Sequence, residues 1–391
     1  MRFIAMTAVL LSACGADPTA ANPSTPPSAA LSPTATPTVA PSPKSTSEPS
    51  SPSASPTPSP PSSPRPTAVH FVDRNHGWLG LSDGLLGTSD GGQTWQRQIA
   101  GTSVGRIWAF DTNHAWALTA GQLLYRTEDG VRWEPTPQLD RLDITEVQFV
   151  TPEIGWSIQV QRLSSPAGQY RQVGLPFSSV DGGVSWRSIG DRSMTSVCFL
   201  DARNGWGADG KQIFKTTDAG RTWTEIADLA VADKGPWYPT IRCADATNAR
   251  IQITEPYAAL GHAPYLVFRT NDGGKTWLLE YRELYTLGQS TPWDIPQLGS
   301  YPSIVDTFRD GSTWVVTCTP PMDSQGFLVL SRAGSVTARG VVPFASCVND
   351  ASFVDAQHGW IVGPVYRPEG TESVVVRTRD GAGSWERVYP P

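Results

Sequence analysis

Six aspartates recur at one place in a repeated eight-residue phrase, where a carboxylate beside hydroxyl groups could bind a metal ion, transfer a proton or fix a turn. The phrase is clearest from Thr270 to Trp277, which reads Thr-Asn-Asp-Gly-Gly-Lys-Thr-Trp. The aspartates are Asp90, Asp129, Asp181, Asp218, Asp272 and Asp380. A calcium loop needs oxygen ligands at several alternate positions and a distant Glu, whereas each copy supplies one Asp. The phrase therefore favours a β-turn, in which Asp accepts a hydrogen bond from the backbone two residues ahead and Gly tolerates a positive φ.

Each copy of this phrase, which we call a box turn, is predicted to join two strands. The first hydroxyl can bond across the loop, and the closing Trp can bury its ring against the sheet. Complete copies begin at Thr88, Ser179, Thr216 and Thr270, a copy at Thr127 is one residue short, and a copy at Thr378 has Ala382 where a Gly is expected.

A second phrase precedes the box turns and is predicted to form a strand, a tight turn and another strand. It reads Phe71-Val-Asp-Arg-Asn-His-Gly-Trp78 in its first copy. Further copies begin at Phe110, Phe149, Phe199 and Phe353, with degenerate versions at Cys243 and Phe308. One copy of each phrase makes four strands, and the marker positions 78, 116, 156, 206, 250, 314 and 360 number seven units.

The predicted fold is all-β, a seven-bladed β-propeller over residues 67–391 with four antiparallel strands in each blade. Seven units in this span give about 46 residues each, within the usual range for propeller repeats. A six-bladed ring is the alternative, because the sixth unit lacks the Asp and the Trp of the box turn.

The box turn resembles the Asp-box, also called the bacterial neuraminidase repeat, which is a structural turn of propeller blades and carries no catalytic residue. The two phrases in tandem resemble the photosystem II stability and assembly factor family over essentially all of Thr67 to Pro391. That family is a seven-bladed propeller on which membrane protein complexes are assembled. The resemblance implies a platform that binds a protein or a glycan, with no catalytic residue and no cofactor.

A glycoside hydrolase of the sialidase type is the alternative, because sialidases share the Asp-box. Such an enzyme needs three arginines, a Tyr/Glu nucleophile pair and an acid/base Asp, and the chain has no Arg-Ile-Pro near the first blade. Glu255 with Tyr257, or Glu280 with Tyr281, are the candidate pairs. A retaining glycosidase also needs two carboxylates about 5–5.5 Å apart, which a sequence does not reveal.

In a four-stranded blade, the box turns and short turns share one face, and the long connections leave from the other. The long connections are 160–177, 230–239, 255–264, 283–301 and 363–372. Because loops on a rigid scaffold carry function, this second face is the candidate binding face. Its candidate partner-binding residues are Trp237, Tyr238, Tyr257, His262, Tyr285, Trp293, Tyr301 and Arg367. The alternative is that these rings pack beneath the long loops, and Arg162, Arg171 and Arg242 are further candidates for anion contacts.

The cysteines and the turn histidines are predicted to have structural roles. Four cysteines follow Cys14, namely Cys198, Cys243, Cys318 and Cys347, and they allow three pairings. Matching places on the inner strands of adjacent blades favour Cys198 with Cys243, which leaves Cys318 with Cys347. His76, His114 and His358 recur at one turn position, so they are predicted to be turn residues, and we expect no metal site.

The first 66 residues predict export and a tether. Residues 1–14 resemble a lipoprotein signal peptide, with an apolar run from Phe3 to Leu11 and Cys14 as the lipidated residue. Residues 15–66 hold 16 of the 35 prolines and no aromatic residue, so they are predicted to be a disordered Pro/Ser/Thr-rich stalk. We therefore expect an extracytoplasmic monomer that contacts a bacterial membrane only through its lipid anchor. A formal charge of −6 gives no basic stripe and argues against nucleic acid as a partner.

Overall fold

The computed structural model describes residues 64–137, 143–164, 170–190, 192–229, 238–254, 265–283, 300–308, 310–318, 327–332, 335–341, 348–367 and 370–390. The chain divides into one unit from Met1 to Pro60 and another from Pro61 to Pro391. The predicted signal peptide, Cys14 and nearly all of the predicted stalk lie outside the described residues.

The described residues form seven antiparallel sheets, each built from four strands that follow one another in the chain. The first two sheets contain β1 Pro66–Phe71, β2 Gly77–Leu81, β3 Gly84–Thr88 and β4 Gln96–Ala100, then β5 Val104–Ala109, β6 Ala115–Thr119, β7 Leu124–Thr127 and β8 Glu134–Pro135. The third and fourth contain β9 Asp143–Phe149, β10 Gly155–Ser164, β11 Tyr170–Ser179 and β12 Arg187–Ser188, then β13 Ser196–Phe199, β14 Gly205–Asp209, β15 Gln212–Thr216 and β16 Thr224–Asp228.

The fifth and sixth sheets contain β17 Tyr238–Cys243, β18 Ala249–Thr254, β19 Tyr265–Thr270 and β20 Leu278–Glu283, then β21 Ser300–Thr307, β22 Ser312–Cys318, β23 Phe327–Arg332 and β24 Ser335–Val341. The seventh contains β25 Asp350–Phe353, β26 Gly359–Arg367, β27 Gly370–Thr378 and β28 Glu386–Tyr389. The sixth unit therefore forms a four-stranded sheet although it lacks a box turn.

Side chains on the first strand of one sheet bind backbone N–H groups on the first strand of the next. Asp350 and Ser352 of β25 accept hydrogen bonds from the N–H groups of Val69 and Phe71, at 2.8 and 2.9 Å. The first and seventh sheets thus contact each other without sharing a strand. Glu146 and Gln148 of β9 bind Val197 and Phe199 of β13 in the same way, and Ser196 of β13 binds Ile241 of β17.

A disulfide reinforces the contact between the fourth and fifth sheets. It joins Cys198 of β13 to Cys243 of β17, with a Cα–Cα distance of 5.9 Å. Cys318 is the last residue of β22, and Cys347 lies outside the described residues, so their pairing stays a prediction.

Phenylalanine and glycine of the second phrase face each other across the first two strands of four sheets. The pairs are Phe71 with Gly77, Phe149 with Gly155, Phe199 with Gly205, and Phe353 with Gly359. A Cβ added to Gly205 would lie 2.6 Å from the Phe199 ring, so only glycine leaves room for the ring. Each of these rings also stacks on the Trp of the preceding sheet, as Phe71 does on Trp360 at 3.6 Å.

This register corrects the sequence alignment in two units. Ala109 pairs with Ala115 in the second sheet, and Thr307 pairs with Thr313 in the sixth. Phe110 and Phe308 therefore lie one residue beyond the position that the sequence assigned to them. The Trp keeps the same place in the second strand of each sheet that contains it, and these copies have one residue fewer between the Phe and the Trp. The ring of Phe110 therefore lies at the surface, where it is 41% exposed.

Tryptophan side chains of four sheets donate a hydrogen bond to a box turn of the next sheet. The indole N–H groups of Trp78, Trp116, Trp156 and Trp360 donate to the carbonyl oxygens of Gly130, Gly182, Ala219 and Gly91. Arg250 stands at this position in the fifth sheet, and its guanidinium donates to the carbonyl of Gly311 at 3.2 Å. Arg250 also binds Glu280 at 2.8 Å, with side chains only 5% and 0% exposed. A buried ion pair thus replaces the indole at one junction between sheets.

Candidate functional site

In the box turns the Asp carboxylate accepts hydrogen bonds from hydroxyl and backbone groups of the same turn. Thr216 Oγ1 donates to Asp218 Oδ1 at 2.8 Å and accepts from the N–H of Gly220 at 2.9 Å. The carboxylate accepts from the N–H and the hydroxyl of Thr222, at 2.9 and 2.7 Å. These hydrogen bonds lower the pKa of Asp218 to about 2. Both carboxylate oxygens therefore accept hydrogen bonds from within the turn, and the arrangement stabilises it.

The predicted span of the Asp hydrogen bond is wrong for the complete copies. The carboxylate binds the backbone four residues ahead, because two successive residues with positive φ, Ala219 and Gly220, reverse the chain first. In the short copy the predicted spacing does occur, since the N–H of Val131 donates to Asp129 Oδ1 at 2.9 Å.

The turn histidines also bind within their own turns. His76 Nδ1 lies 2.9 Å from Asp73, His114 Nδ1 lies 2.9 Å from Asp111, and His358 Nδ1 lies 2.8 Å from Asp355. Among the described residues, no three His, Cys, Asp or Glu side chains cluster in a way that could hold a metal ion.

The box turns and short turns lie at the same end of the sheets, which we call the box face. The N–H of Gly91 in a box turn donates to the carbonyl of Asn75 in the short turn at 2.8 Å, and Gly273 binds Thr247 in the same way. The first and third strands therefore begin, and the second strand ends, at the opposite end, which we call the loop face. The long connections leave from the loop face, as predicted.

Three of the eight candidate partner-binding residues lie in strands, all at the loop-face ends. Tyr238 begins β17, Tyr301 is the second residue of β21, and Arg367 ends β26. Tyr238 is half-buried. The other candidates, Trp237, Tyr257, His262, Tyr285 and Trp293, lie outside the described residues.

Two of the long connections are strands for most of their length. β10 and β11 pair from Gly155 with Ser179 to Ser164 with Tyr170, and β26 and β27 pair from Gly359 with Thr378 to Arg367 with Gly370. The sequence assigned 160–177 and 363–372 to long connections, whereas the structure extends the paired strands into them.

A polar cluster near the inner strands escaped the sequence analysis. Arg242 Nη1 lies 2.9 Å from Glu146 Oε1, and Glu146 also accepts from Ser196 and from the N–H of Val197. Arg242 is thus engaged by a carboxylate and differs from the anion-binding residue that the sequence suggested. The inner strands vary in sequence from unit to unit, so the repeat gave no signal for this cluster.

Glu280 and Tyr281, one of the candidate nucleophile pairs, are buried on opposite sides of β20. Glu280 is 4% exposed and bound to Arg250, while Tyr281 is 0% exposed and packs with Tyr265, Val267 and Val315. Neither side chain can reach a substrate in solution. Glu255 and Tyr257 lie outside the described residues.

Three shallow grooves open on the box face between neighbouring sheets. The groove between the third and fourth sheets has a volume of about 440 Å³, and the other two measure about 240 and 270 Å³. Trp156 and Ile154 line the largest groove beside Arg203 and Arg221.

No protein-family model matches the chain. The xyloglucanase Xgh74A of Acetivibrio thermocellus is 24% identical over 245 residues, which cover 51% of this chain and 29% of that protein. The structure of YCF48 bound to D1 peptide matches with a TM-score of 0.50 at 15% identity, covering 81% of this chain and 94% of that one. An ancestral GH74 enzyme matches with a TM-score of 0.52 at 16% identity, covering 83% of this chain and 46% of that one. These likenesses show the fold alone, which is that of a β-propeller.

No helix long and apolar enough to cross a membrane occurs in the part of the chain that the structure describes.

Proposed function

We propose that this chain is an exported, seven-bladed β-propeller that captures a protein or carbohydrate partner on its loop face. The observation that carries the proposal is the difference between the two faces. The box face consists of short turns whose polar groups bind one another, whereas the long connections all leave from the loop face. A surface of variable loops on a rigid ring is suited to recognition.

The partner-binding region of the proposal lies around the fifth and sixth blades. Tyr238 and Tyr301 lie at strand ends there, next to the segments that contain Trp237 and Trp293. The match to 94% of a propeller of similar length that binds a peptide supports a protein partner. The proposal includes the Asp-box identity of the box turns and a likeness in role to photosystem II assembly factors.

Export and attachment are further parts of the proposal. Residues 1–14 act as the signal peptide, Cys14 carries the lipid, and residues 15–66 form the stalk. The test is metabolic labelling with a radioactive fatty acid in the native host. Label should enter the wild-type protein and be absent from Cys14→Ser, and a wild-type protein without label contradicts the anchor.

The capture experiment uses immobilised full-length protein, chemical cross-linking and mass spectrometry. Cross-links should map to the loop face, and Trp237→Ala with Trp293→Ala should abolish capture. Phe110→Ala removes an exposed ring on the box face and is the matched control, which should capture normally. Retained capture by the double variant, with an unchanged melting temperature, contradicts the site.

A glycoside hydrolase is the second candidate, favoured by the sequence match to a xyloglucanase. Incubation with xyloglucan and with sialosides, followed by measurement of released reducing ends and free sialic acid, tests it. Release of reducing ends or sialic acid above the level of a heat-inactivated sample would show that the chain is an enzyme and would contradict the binding platform.

A further inference from the structure

The hairpin of the third sheet extends beyond the strands that flank it. Pairing of β10 with β9 stops at Val160 opposite Asp143, yet β10 and β11 remain paired to Ser164 opposite Tyr170. Residues 161–164 and 170–173 therefore form a two-stranded ribbon on the loop face, which we call the basic ribbon.

The outer edge of β11 loses its partners before the ribbon begins. Phe177 and Ser178 pair with β12, and then Ile189 and Met194 donate to the carbonyls of Pro176 and Gly174, at 3.0 and 2.9 Å. The described partners of this edge thus reach from Ser178 to Gly174 and stop there, before the ribbon begins.

The two outward carbonyls fix the direction of the backbone groups in the ribbon. In an antiparallel strand the N–H and C=O of one residue point the same way, and they alternate along the strand. Because Gly174 and Pro176 point outward, Gln172 and Tyr170 also point outward, while Arg171 and Val173 point toward β10. Gln172 and Tyr170 thus present two donors and two acceptors in the geometry of a strand edge, which is the template for an added strand.

The charge of the basic ribbon indicates what kind of strand would pair with it. Residues 161–173 contain Arg162 and Arg171 and no Asp or Glu, although the whole chain has a formal charge of −6. A second copy of the ribbon would set like charges side by side, which is unfavourable across paired strands. The similar hairpin of the seventh sheet differs, because its Glu372 binds Arg387 of β28. We infer that the basic ribbon binds an extended, acidic segment of a protein partner by β-strand addition.

This inference rests on the proposed role of the loop face in partner capture. The probe is a fluorescent eight-residue peptide in which Glu alternates with Val and Thr, and its counterpart with Lys in place of Glu is the control. Anisotropy with the full-length protein should show binding of the Glu peptide, with at least a tenfold preference over the Lys peptide. Added salt should weaken it.

Gln172→Pro is the decisive variant, because it removes one outward N–H and keeps the edge otherwise intact. Pro176 already occupies the equivalent outward position in the same strand, so the fold accommodates proline there. Binding should fall about tenfold or more in Gln172→Pro and less than about threefold in Gln172→Ala. In the wild-type protein, the peptide should slow hydrogen exchange at the amides of Gln172 and Tyr170.

Equal binding by Gln172→Pro and Gln172→Ala, no binding of the Glu peptide, or no protection of the two amides each overturns the inference. A dimer in analytical ultracentrifugation that Gln172→Pro dissolves would make a second copy the occupant and also overturn it. Trp237→Ala with Trp293→Ala should still bind the peptide. If native-partner capture is lost in the Trp double variant but retained in Gln172→Pro, the proposed function stands and the ribbon is rejected. If the wild-type protein binds the peptide and the Trp double variant still captures the partner, the ribbon stands and the proposed site is rejected.

Discussion

Glu280→Gln tests whether the buried ion pair holds the fifth and sixth sheets together. The substitution keeps the side-chain shape and leaves the Arg250 guanidinium, which is 5% exposed, without its opposite charge. Removal of one partner from a buried pair costs about 3–5 kcal/mol, because the other charge stays desolvated. The free energy of unfolding, from urea denaturation followed by tryptophan fluorescence, should fall by that amount.

An exposed ion pair between sheets serves as the matched control. Arg74 lies 2.9 Å from Asp355, with side chains 62% and 30% exposed. Solvent screens such a pair, so Arg74→Met should cost less than about 1 kcal/mol. The contrast between the two variants measures the effect of burial at a similar place in the ring.

A double variant built from the repeat separates the charge from the packing. Arg250→Trp with Glu280→Ile gives the fifth unit the residues found at these places in the fourth, where Trp206 and Ile226 pack together. The two apolar side chains leave no unpaired charge at this junction, so at least half of the stability lost in Glu280→Gln should return. A cost below about 1 kcal/mol for Glu280→Gln, equal to the control, would refute the assignment of this junction to a buried charge pair.

Three further outcomes concern stability. Gly205→Ala should cost about 1–3 kcal/mol because its Cβ meets the phenylalanine ring opposite, whereas Gly105→Ala, with open space around it, should change urea stability by less than about 0.5 kcal/mol. Replacing Cys198 and Cys243 by Ser should lower the free energy of unfolding, measured by urea denaturation, by about 4 kcal/mol, given the sequence separation of 45. The folded-state pKa of Asp218 lies below its ordinary value of 3.8, so the carboxylate stabilises the fold above about pH 4 and this contribution is lost as pH falls toward 2. Asp218→Asn should therefore show a smaller decrease in melting temperature over that range, and parallel curves for both proteins would contradict the assignment.

Local chemistry was sufficient to predict the box turns and four strands in each unit, but not the length of the hairpins at 160–177 and 363–372. The conformation of a box turn such as Thr88 to Trp95 can be predicted from its own residues, because Asp and hydroxyl side chains form the hydrogen bonds of the turn within these eight residues. Their recurrence predicted four strands for each unit and the separation of the two faces.

Contacts between units could not be predicted from the sequence as well as the turns could. Phe110 looks like Phe71 when the phrases are read side by side, but the strand register places Ala109 opposite Ala115 and leaves Phe110 at the surface. Arg250 looked like a degenerate Trp, and only the packed sheets show that Glu280, thirty residues later, supplies its charge partner.

The amino-acid sequence alone determined the repeat, because the Asp and the first hydroxyl residue of every box turn bond to groups within the same turn. Tertiary structure decided the register at Ala109, the polar junction at Arg250 and the place where β12 stops pairing with β11. Each of these depends on where a neighbouring strand begins or stops, and that is set by packing between segments far apart in the chain.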